Sequence, residues 1–165
     1  MKKLKIYLDT SVINFLFADD APEKKQATVE FFDQYVKLEI YEVYISDIVI
    51  AEIQETKNET KRKKLLQVLN KYPIEYVQFQ NTSDIEFLAS TYIEKGIIPQ
   101  QKQVDAIHVA TATVNEMDVL LSWNYKHLAN IFRERRIIAE NVIHNYWHNL
   151  RILTPLELIG KDDER

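Results

Sequence analysis

Three acidic residues in this chain lie where their carboxylates could do chemistry. Asp9 follows a short apolar run at residues 4–8, Glu52 lies on the second turn of a predicted helix, and Asp105 lies in the first turn of another. Each has an ordinary explanation alone: a turn or cap residue, an exposed helix residue, and a favourable charge near a helix N-terminus. If the fold brings them together, their oxygens are of the kind that divalent cations such as Mg²⁺ select.

The elements around these acids predict that they meet at one edge of a sheet. Residues 4–8 suit a strand covered on both faces, and Thr10 or Ser11 could cap a helix over residues 12–17. Asn124 follows a strand predicted at 119–122, as Asp9 follows the first. In a parallel sheet both positions lie beyond the carboxyl ends of the strands, where the helices that carry Glu52 and Asp105 also begin.

The remaining pattern predicts an α/β fold. Further helices are expected over residues 22–38, 48–55, 60–70, 82–95 and 128–139, and further strands over residues 41–46, 74–77 and 150–153. Pro73 restricts the strand at 74–77 to an edge of the sheet. Gly96 is suited to end the helix predicted over residues 82–95. Five strands alternating with helices predict a parallel or mostly parallel sheet covered on both faces.

The helix predicted over residues 101–114 is the most informative. One stripe of it should face the sheet, namely Val104, Ile107, Thr111 and Val114. Its alanines permit close packing, so Asp105 on this helix must find partners or a cation. His108 lies on the same side as Asp105. Because no second His or Cys stands at ligand spacing, we expect it to form hydrogen bonds behind the site and not to bind a metal.

Length and composition limit the function classes. The 165 residues, 46% of them hydrophobic, predict a single domain over residues 1–160 with a frayed tail at 161–165. The chain has no cysteine, which excludes disulfides and thiolate metal sites. It also shows no signal peptide and no membrane-length apolar run, so a cytoplasmic protein is expected. Its two glycines, Gly96 and Gly160, allow neither a P-loop nor a glycine-rich dinucleotide turn.

Charge is unevenly distributed along the chain. The net charge of −4 argues against nonspecific nucleic-acid binding, yet basic runs occur at residues 57–64 and 133–136. Each run could be a solvated helix face. An acidic centre flanked by basic runs would also suit an enzyme that holds a cation against a phosphodiester. Lys126 and His127 could contact phosphate, whereas Trp123 is expected to pack.

Four segments together resemble a known family. YLDTSVIN, SDIVIAEI, DAIHVATA and LLSWNYKHL occur in the order and approximate spacing of the PIN-domain ribonucleases, which include the VapC-type toxins of bacterial toxin–antitoxin pairs. The resemblance spans residues 4–155. It implies a single-domain α/β/α sandwich with a five-stranded sheet of order 3-2-1-4-5, and cleavage of RNA with Mg²⁺ or Mn²⁺. It also implies an antitoxin partner and a homodimer.

By position, the resemblance makes Asp9, Glu52 and Asp105 the three acids of the active site. We expect Asp9 and Asp105 to bind the metal ion and Glu52 to hold a water molecule or act as a general base. Family members often have a further Asp after the fourth strand. Asn124 stands there in this chain, which leaves one negative charge fewer for a second ion.

Phosphate oxygens of the substrate should be positioned by Thr10, Ser11 and Asn124. Two other functions fit the pattern less well. The missing fourth acid suggests a catalytically weak or inactive module that binds RNA or a protein partner. A phosphoacceptor domain of the response-regulator type also has acids at strand ends, but it needs a strand-end lysine and an early acid pair, and this sequence offers neither.

Overall fold

The computed structural model of the chain describes residues 2–77, 82–124 and 128–160. A five-stranded, fully parallel sheet forms its centre. In chain order the strands are β1 (Lys5–Leu8), β2 (Glu42–Ile45), β3 (Ile74–Tyr76), β4 (Val119–Leu121) and β5 (Arg151–Leu153). They lie in the order β3-β2-β1-β4-β5. The predicted α/β class and the strand order are confirmed, including the position of β3 at an edge.

Helices connect the strands and cover both faces of the sheet. They are α1 (Thr10–Asn14), α2 (Pro22–Glu30), α3 (Asp47–Gln54), α4 (Glu59–Lys71), α5 (Thr82–Glu94), α6 (Gln103–Val114), α7 (Ile131–Ile143) and α8 (Pro155–Ile159). A 3-10 turn follows α1, another precedes α6, and a π-helical segment at Phe31–Val36 extends α2. Gly96 ends the α5 region with a positive φ of 66°, as predicted for a helix C-terminus.

β1 is the central strand because its side chains are apolar on both sides. Ile6, Tyr7 and Leu8 are fully buried. Ile6 lies opposite Val43 of β2 and Val119 of β4. Burial of one such aliphatic side chain contributes about 1.5–3 kcal/mol relative to exposure. The strand that precedes Asp9 is therefore anchored in the core, between β2 and β4.

The two faces of the sheet carry separate cores. Ile6 and Leu8 pack with α1 to α4, and Tyr7 packs on the other face with α5, α6 and α7. Helices α3 and α6 therefore lie on opposite faces. Both begin beside the carboxyl edge of the sheet, so the residues on their first turns can meet across that edge.

The buried side of helix α6 is centred on its alanines, which pack closely as predicted. Val104 is exposed, while Ala106, Val109 and Ala110 are fully buried against α5 and the sheet. Of the predicted stripe, Thr111 is buried and Ile107 and Val114 pack against the same core, so the prediction was wrong only for Val104. The helix also begins at Gln103, two residues later than predicted.

The predicted cap of α1 is not formed, and α3 also has no side-chain cap. Helix α1 begins at Thr10 with Asp9 at its N-cap position, and neither Thr10 nor Ser11 caps it. Ser46 precedes α3, but its side chain makes no capping hydrogen bond. The polar side chains at the ends of β1 and β2 therefore make hydrogen bonds other than capping bonds.

Among the described residues, no helix is long and apolar enough to span a membrane. The tail at 161–165 lies outside the described residues.

Candidate active site

Asp9 is the most deeply buried acid at the carboxyl edge of the sheet, with only 4% of its surface exposed. Its side chain does not cap α1. Instead Ser11 Oγ donates to Oδ1 at 2.5 Å and Ser122 Oγ donates to Oδ2 at 2.5 Å. Both oxygens of the carboxylate are thus fixed, which rules out the ordinary explanation of Asp9 as a helix cap.

The two serines also bind the backbone that follows β4. The N–H of Trp123 donates to Ser11 Oγ at 2.9 Å, and the N–H of Asn124 donates to Ser122 Oγ at 3.0 Å. Asp9 is therefore tied through two hydroxyls to the end of the neighbouring strand. Sequence analysis missed Ser122. The sequence signal for this residue was a small hydroxyl side chain at the end of an apolar strand, directly before Trp123 and Asn124.

The electrostatic environment of Asp9 opposes its charge. Burial is the main cause that raises the pKa of this carboxyl above its ordinary value, and the negative charge of Asp105 raises it further. The charge of His108 and the hydrogen bonds from the two serines oppose the rise. Asp9 and Asp105 therefore lie close enough to repel each other, although 96 residues separate them in sequence.

Asp105 lies half-buried on the first turn of α6, as predicted. Asn124 Nδ2 donates to its Oδ2 at 2.9 Å. Arg133 of α7 is electrostatically coupled to this acid. Burial and the neighbouring Arg136 lower the pKa of Arg133, and the charge of Asp105 opposes that change. One of the predicted basic runs therefore contributes a cation to the site.

Glu52 lies on α3 and forms a separate cluster beside Asp9. Thr10 Oγ1 donates to Glu52 Oε1 at 2.6 Å, and His108 Nε2 lies 2.8 Å from the same oxygen. Burial would raise the pKa of Glu52, but the hydrogen bonds from His108 and Thr10, together with the charge of His108, hold it below its ordinary value. Glu52 is therefore a charged carboxylate at neutral pH.

A polar groove opens beside Asp105 and Asn124. Its volume is about 530 Å³, and the other lining residues are Gln100, Gln101, Lys102, Gln103 and Val104. Amide and ammonium groups thus surround one side of the acid. Asp105 and Asn124 are therefore accessible from this groove.

The structure brings most of the predicted site residues to one edge of the sheet. His108 is buried and hydrogen-bonded at both ring nitrogens, as expected for a residue behind the site. Thr10 and Ser11 donate to carboxylates, so a direct role in positioning phosphate stays a prediction. Lys126 and His127 lie outside the described residues. Within the described ranges, no three acids or histidines are grouped closely enough to form a metal site by themselves.

Comparison with known proteins places the chain in a family. The model of the PIN domain matches residues 6–134, and the chain therefore belongs to the PIN-domain family. Comparison with curated proteins gives no match.

A solved structure that resembles this one is the crystal structure of VapBC2 from Rickettsia felis bound to a DNA fragment from their promoter. The similarity covers 92% of this chain and 98% of that one, with a TM-score of 0.57 and 17% sequence identity. At that identity it demonstrates a shared fold.

Proposed function

We propose that this protein is a metal-dependent ribonuclease that hydrolyses phosphodiester bonds in RNA with Mg²⁺ or Mn²⁺. The observation that carries the proposal is the convergence of Asp9 and Asp105 at the carboxyl edge of the sheet. Ser122 donates to Asp9, and the next residue but one, Asn124, donates to Asp105. Two carboxylates brought together in this way form a natural site for a cation, which would neutralise their charge. Membership of the PIN-domain family supports a nuclease function.

The residues present fit a divalent cation held by Asp9 and Asp105. Mg²⁺ is usually bound by one or two carboxylates with several waters completing its octahedron, so a cluster of three protein ligands is not required. Asp9 is already oriented by Ser11 and Ser122, and each of its oxygens keeps a second lone pair. When bound, the cation would neutralise charge that develops on the phosphodiester in the transition state.

The chain's own groups have distinct roles in this proposal. Glu52 is charged, and among the described residues only its Oε1 accepts hydrogen bonds, so Oε2 can hold and orient the attacking water. Asn124 donates to Asp105 and lines the groove beside it, where in this proposal it would help to position a phosphate or water. Thr10 and Ser11 donate to Glu52 and Asp9, and in this proposal they also contact phosphate oxygens.

The biological setting that we propose is the toxin half of a toxin–antitoxin pair in the cytoplasm. The sequence resembles VapC-type toxins, and a VapBC2 complex shares the fold over nearly the whole chain. The partner would be a small antitoxin protein, and the chain would form a homodimer.

The test is cleavage of labelled single-stranded RNA by the purified chain with Mg²⁺, with Mn²⁺ and with a chelator. Asp9→Asn and Asp105→Asn should each lower the rate by at least about 100-fold while circular dichroism shows an unchanged fold. Glu116→Gln, a change at an exposed position on the turn after the C-terminal end of α6, is the matched control and should retain activity. Full metal-dependent cleavage by Asp9→Asn would overturn the assignment.

The hydrogen bond from Asn124 to Asp105 favours one alternative function. An amide at this position satisfies Asp105 without a cation, so the chain could be a noncatalytic module that binds RNA or a protein partner. Calorimetric titration with Mn²⁺ separates the two functions. A saturable heat that disappears in Asp9→Asn supports the nuclease, and the lack of such heat in the wild-type protein supports the module.

A further inference from the structure

A buried polar path leads from the interior of the sheet to Glu52. Ser46 Oγ lies 2.7 Å from the hydroxyl of Tyr7, and that hydroxyl lies 2.7 Å from Nδ1 of His108. His108 Nε2 then lies 2.8 Å from Glu52 Oε1. Tyr7 is fully buried, and His108 and Ser46 are 1% and 4% exposed. Four side chains, from β1, the β2–α3 connection, α3 and α6, therefore form one continuous network.

The charge of Glu52 determines which atom donates the hydrogen bond between this carboxylate and His108. Glu52 is charged and can only accept, so Nε2 of His108 must carry a proton and donate to it. When the ring is neutral, Nδ1 is an acceptor, and the Tyr7 hydroxyl donates to it. In that state Ser46 donates to the oxygen of Tyr7.

Local stability does not explain the arrangement. Ser46 occupies the N-cap position of α3, yet its hydroxyl is directed to Tyr7 and makes no capping bond. A serine cap typically contributes about 1 kcal/mol to a helix. The polar ring of His108 is also placed in a layer that is filled almost entirely by apolar side chains. Side chains that depart from locally stabilising arrangements in this way are commonly found at functional sites.

We propose that His108 is a positioning residue for Glu52, and that Tyr7 holds His108 in the tautomer that donates to this carboxylate. The network crosses the carboxyl edge of the sheet, because α3 packs on one face and α6 on the other. It fixes Oε1 of Glu52 and leaves Oε2 for water. The inference rests on the proposed nuclease function, since it concerns the orientation of the residue that holds the attacking water.

A matched pair of substitutions tests this role. The amide nitrogen of Gln lies close to the position of His Nε2, and the amide of Asn lies close to the position of Nδ1. His108→Gln should keep the donor to Glu52 and retain kcat within about fivefold, whereas His108→Asn should lose about 10- to 100-fold in kcat with KM little changed. Equal losses in both variants, with equal losses in Tm, would indicate a structural role and overturn the proposal. Retention of full kcat by His108→Asn would also overturn it.

A second measurement does not depend on activity. In wild-type protein labelled with ¹⁵N, the His108 ring should show a protonated Nε2 and an unprotonated Nδ1 at neutral pH. Tyr7→Phe should release this preference and lower kcat, with the Tm recorded alongside. An Nδ1–H tautomer in the wild type would overturn the inference even if RNA cleavage is observed. The expected tautomer in a protein that cleaves no RNA would place the failure on the proposed function, and the positioning of Glu52 would stand.

Discussion

Asn124 Nδ2 donates a hydrogen bond of 2.9 Å to Oδ2 of Asp105. The two residues come from different elements, the segment after β4 and the first turn of α6. Asn124 occupies the position where family members often have an additional acid, and here the side chain at that position is a neutral donor. It stabilises the charged form of Asp105 in the absence of a cation, so the site avoids the repulsion that a further carboxylate would add.

Replacement of this amide by a carboxylate should lower the stability of the metal-free protein and raise its affinity for a divalent cation. Asn124→Asp places two carboxylates within hydrogen-bond distance, and like charges at that distance oppose ionisation of both. We expect the metal-free variant to lose about 1–2 kcal/mol in free energy of unfolding and to bind Mn²⁺ at least about tenfold more tightly than the wild type. Urea unfolding with a chelator and calorimetry with Mn²⁺ measure the two effects.

Asn124→Ala is the control for that experiment. It removes the hydrogen bond without adding charge, so its Mn²⁺ affinity should not rise above that of the wild type. Tighter binding by the alanine variant would mean that the amide, and not the missing charge, limits affinity.

The buried charge of Asp9 should destabilise the metal-free protein. Its carboxylate is buried in the metal-free protein, and burial disfavours the charged form. Asp9→Asn removes the charge, and the serine hydroxyls can rotate to accept from the new amide. In the presence of a chelator we expect the Tm to be unchanged or raised by about 2–4 °C, which corresponds to about 1 kcal/mol, while RNA cleavage is lost. Scanning calorimetry checks the stability, and a marked fall in Tm would contradict this account.

Ser122 should support the site through Asp9. Ser122→Ala removes the donor to Asp9 Oδ2 and the acceptor for the N–H of Asn124. Because Ser122 is fully buried, we expect a loss of about 1–3 kcal/mol in stability and of about 10- to 100-fold in metal-dependent cleavage. Ser122→Thr keeps the hydroxyl and should recover most of the activity. Equal activity in the alanine and threonine variants would show that the hydroxyl has no role.

Glu140 of α7 should give stability a measurable pH dependence away from the site. Its side chain is 6% exposed and accepts from Lys95 Nζ at 2.6 Å and from His144 Nε2 at 3.0 Å. The Lys95 hydrogen bond is the main cause that lowers the pKa of Glu140, against an opposing effect of burial. An acid with a lowered pKa stabilises the fold above its ordinary pKa, here near 4.5, and loses that contribution as the pH falls through the folded-state value.

The comparison that isolates this effect is wild type against Glu140→Gln. At pH 7 the wild type should be more stable by about 1 kcal/mol, a small value because half of the Lys95 side chain is exposed to solvent. The difference should shrink below pH 4.5 and approach zero at lower pH. Urea unfolding of both proteins across pH 3–7 measures it, and a difference that grows on acidification would contradict the sign.

Much of the fold could be read from local patterns. The apolar run before Asp9, the proline before β3 and the glycine after α5 each act through nearby backbone, so their consequences were predicted correctly. The exposure of Val104 on α6 was not. Whether this valine contacts the core depends on how closely neighbouring elements approach the start of the helix, and the periodicity of one helix carries no information about that distance.

The sequence by itself determined that Asp9 follows a strand and that Glu52 and Asp105 lie on helices of a parallel α/β fold, because strand period, helix period and turn chemistry are local properties. Only the tertiary structure decided what each polar group contacts. It assigned Ser11 and Ser122 to Asp9, Thr10 and His108 to Glu52, and Asn124 to Asp105. Except for Ser11 and Asp9, which are two positions apart, these contacts join residues separated by at least 19 positions. Their geometry follows from the register of β1 against β4 and from the packing of α3 and α6 on opposite faces of the sheet.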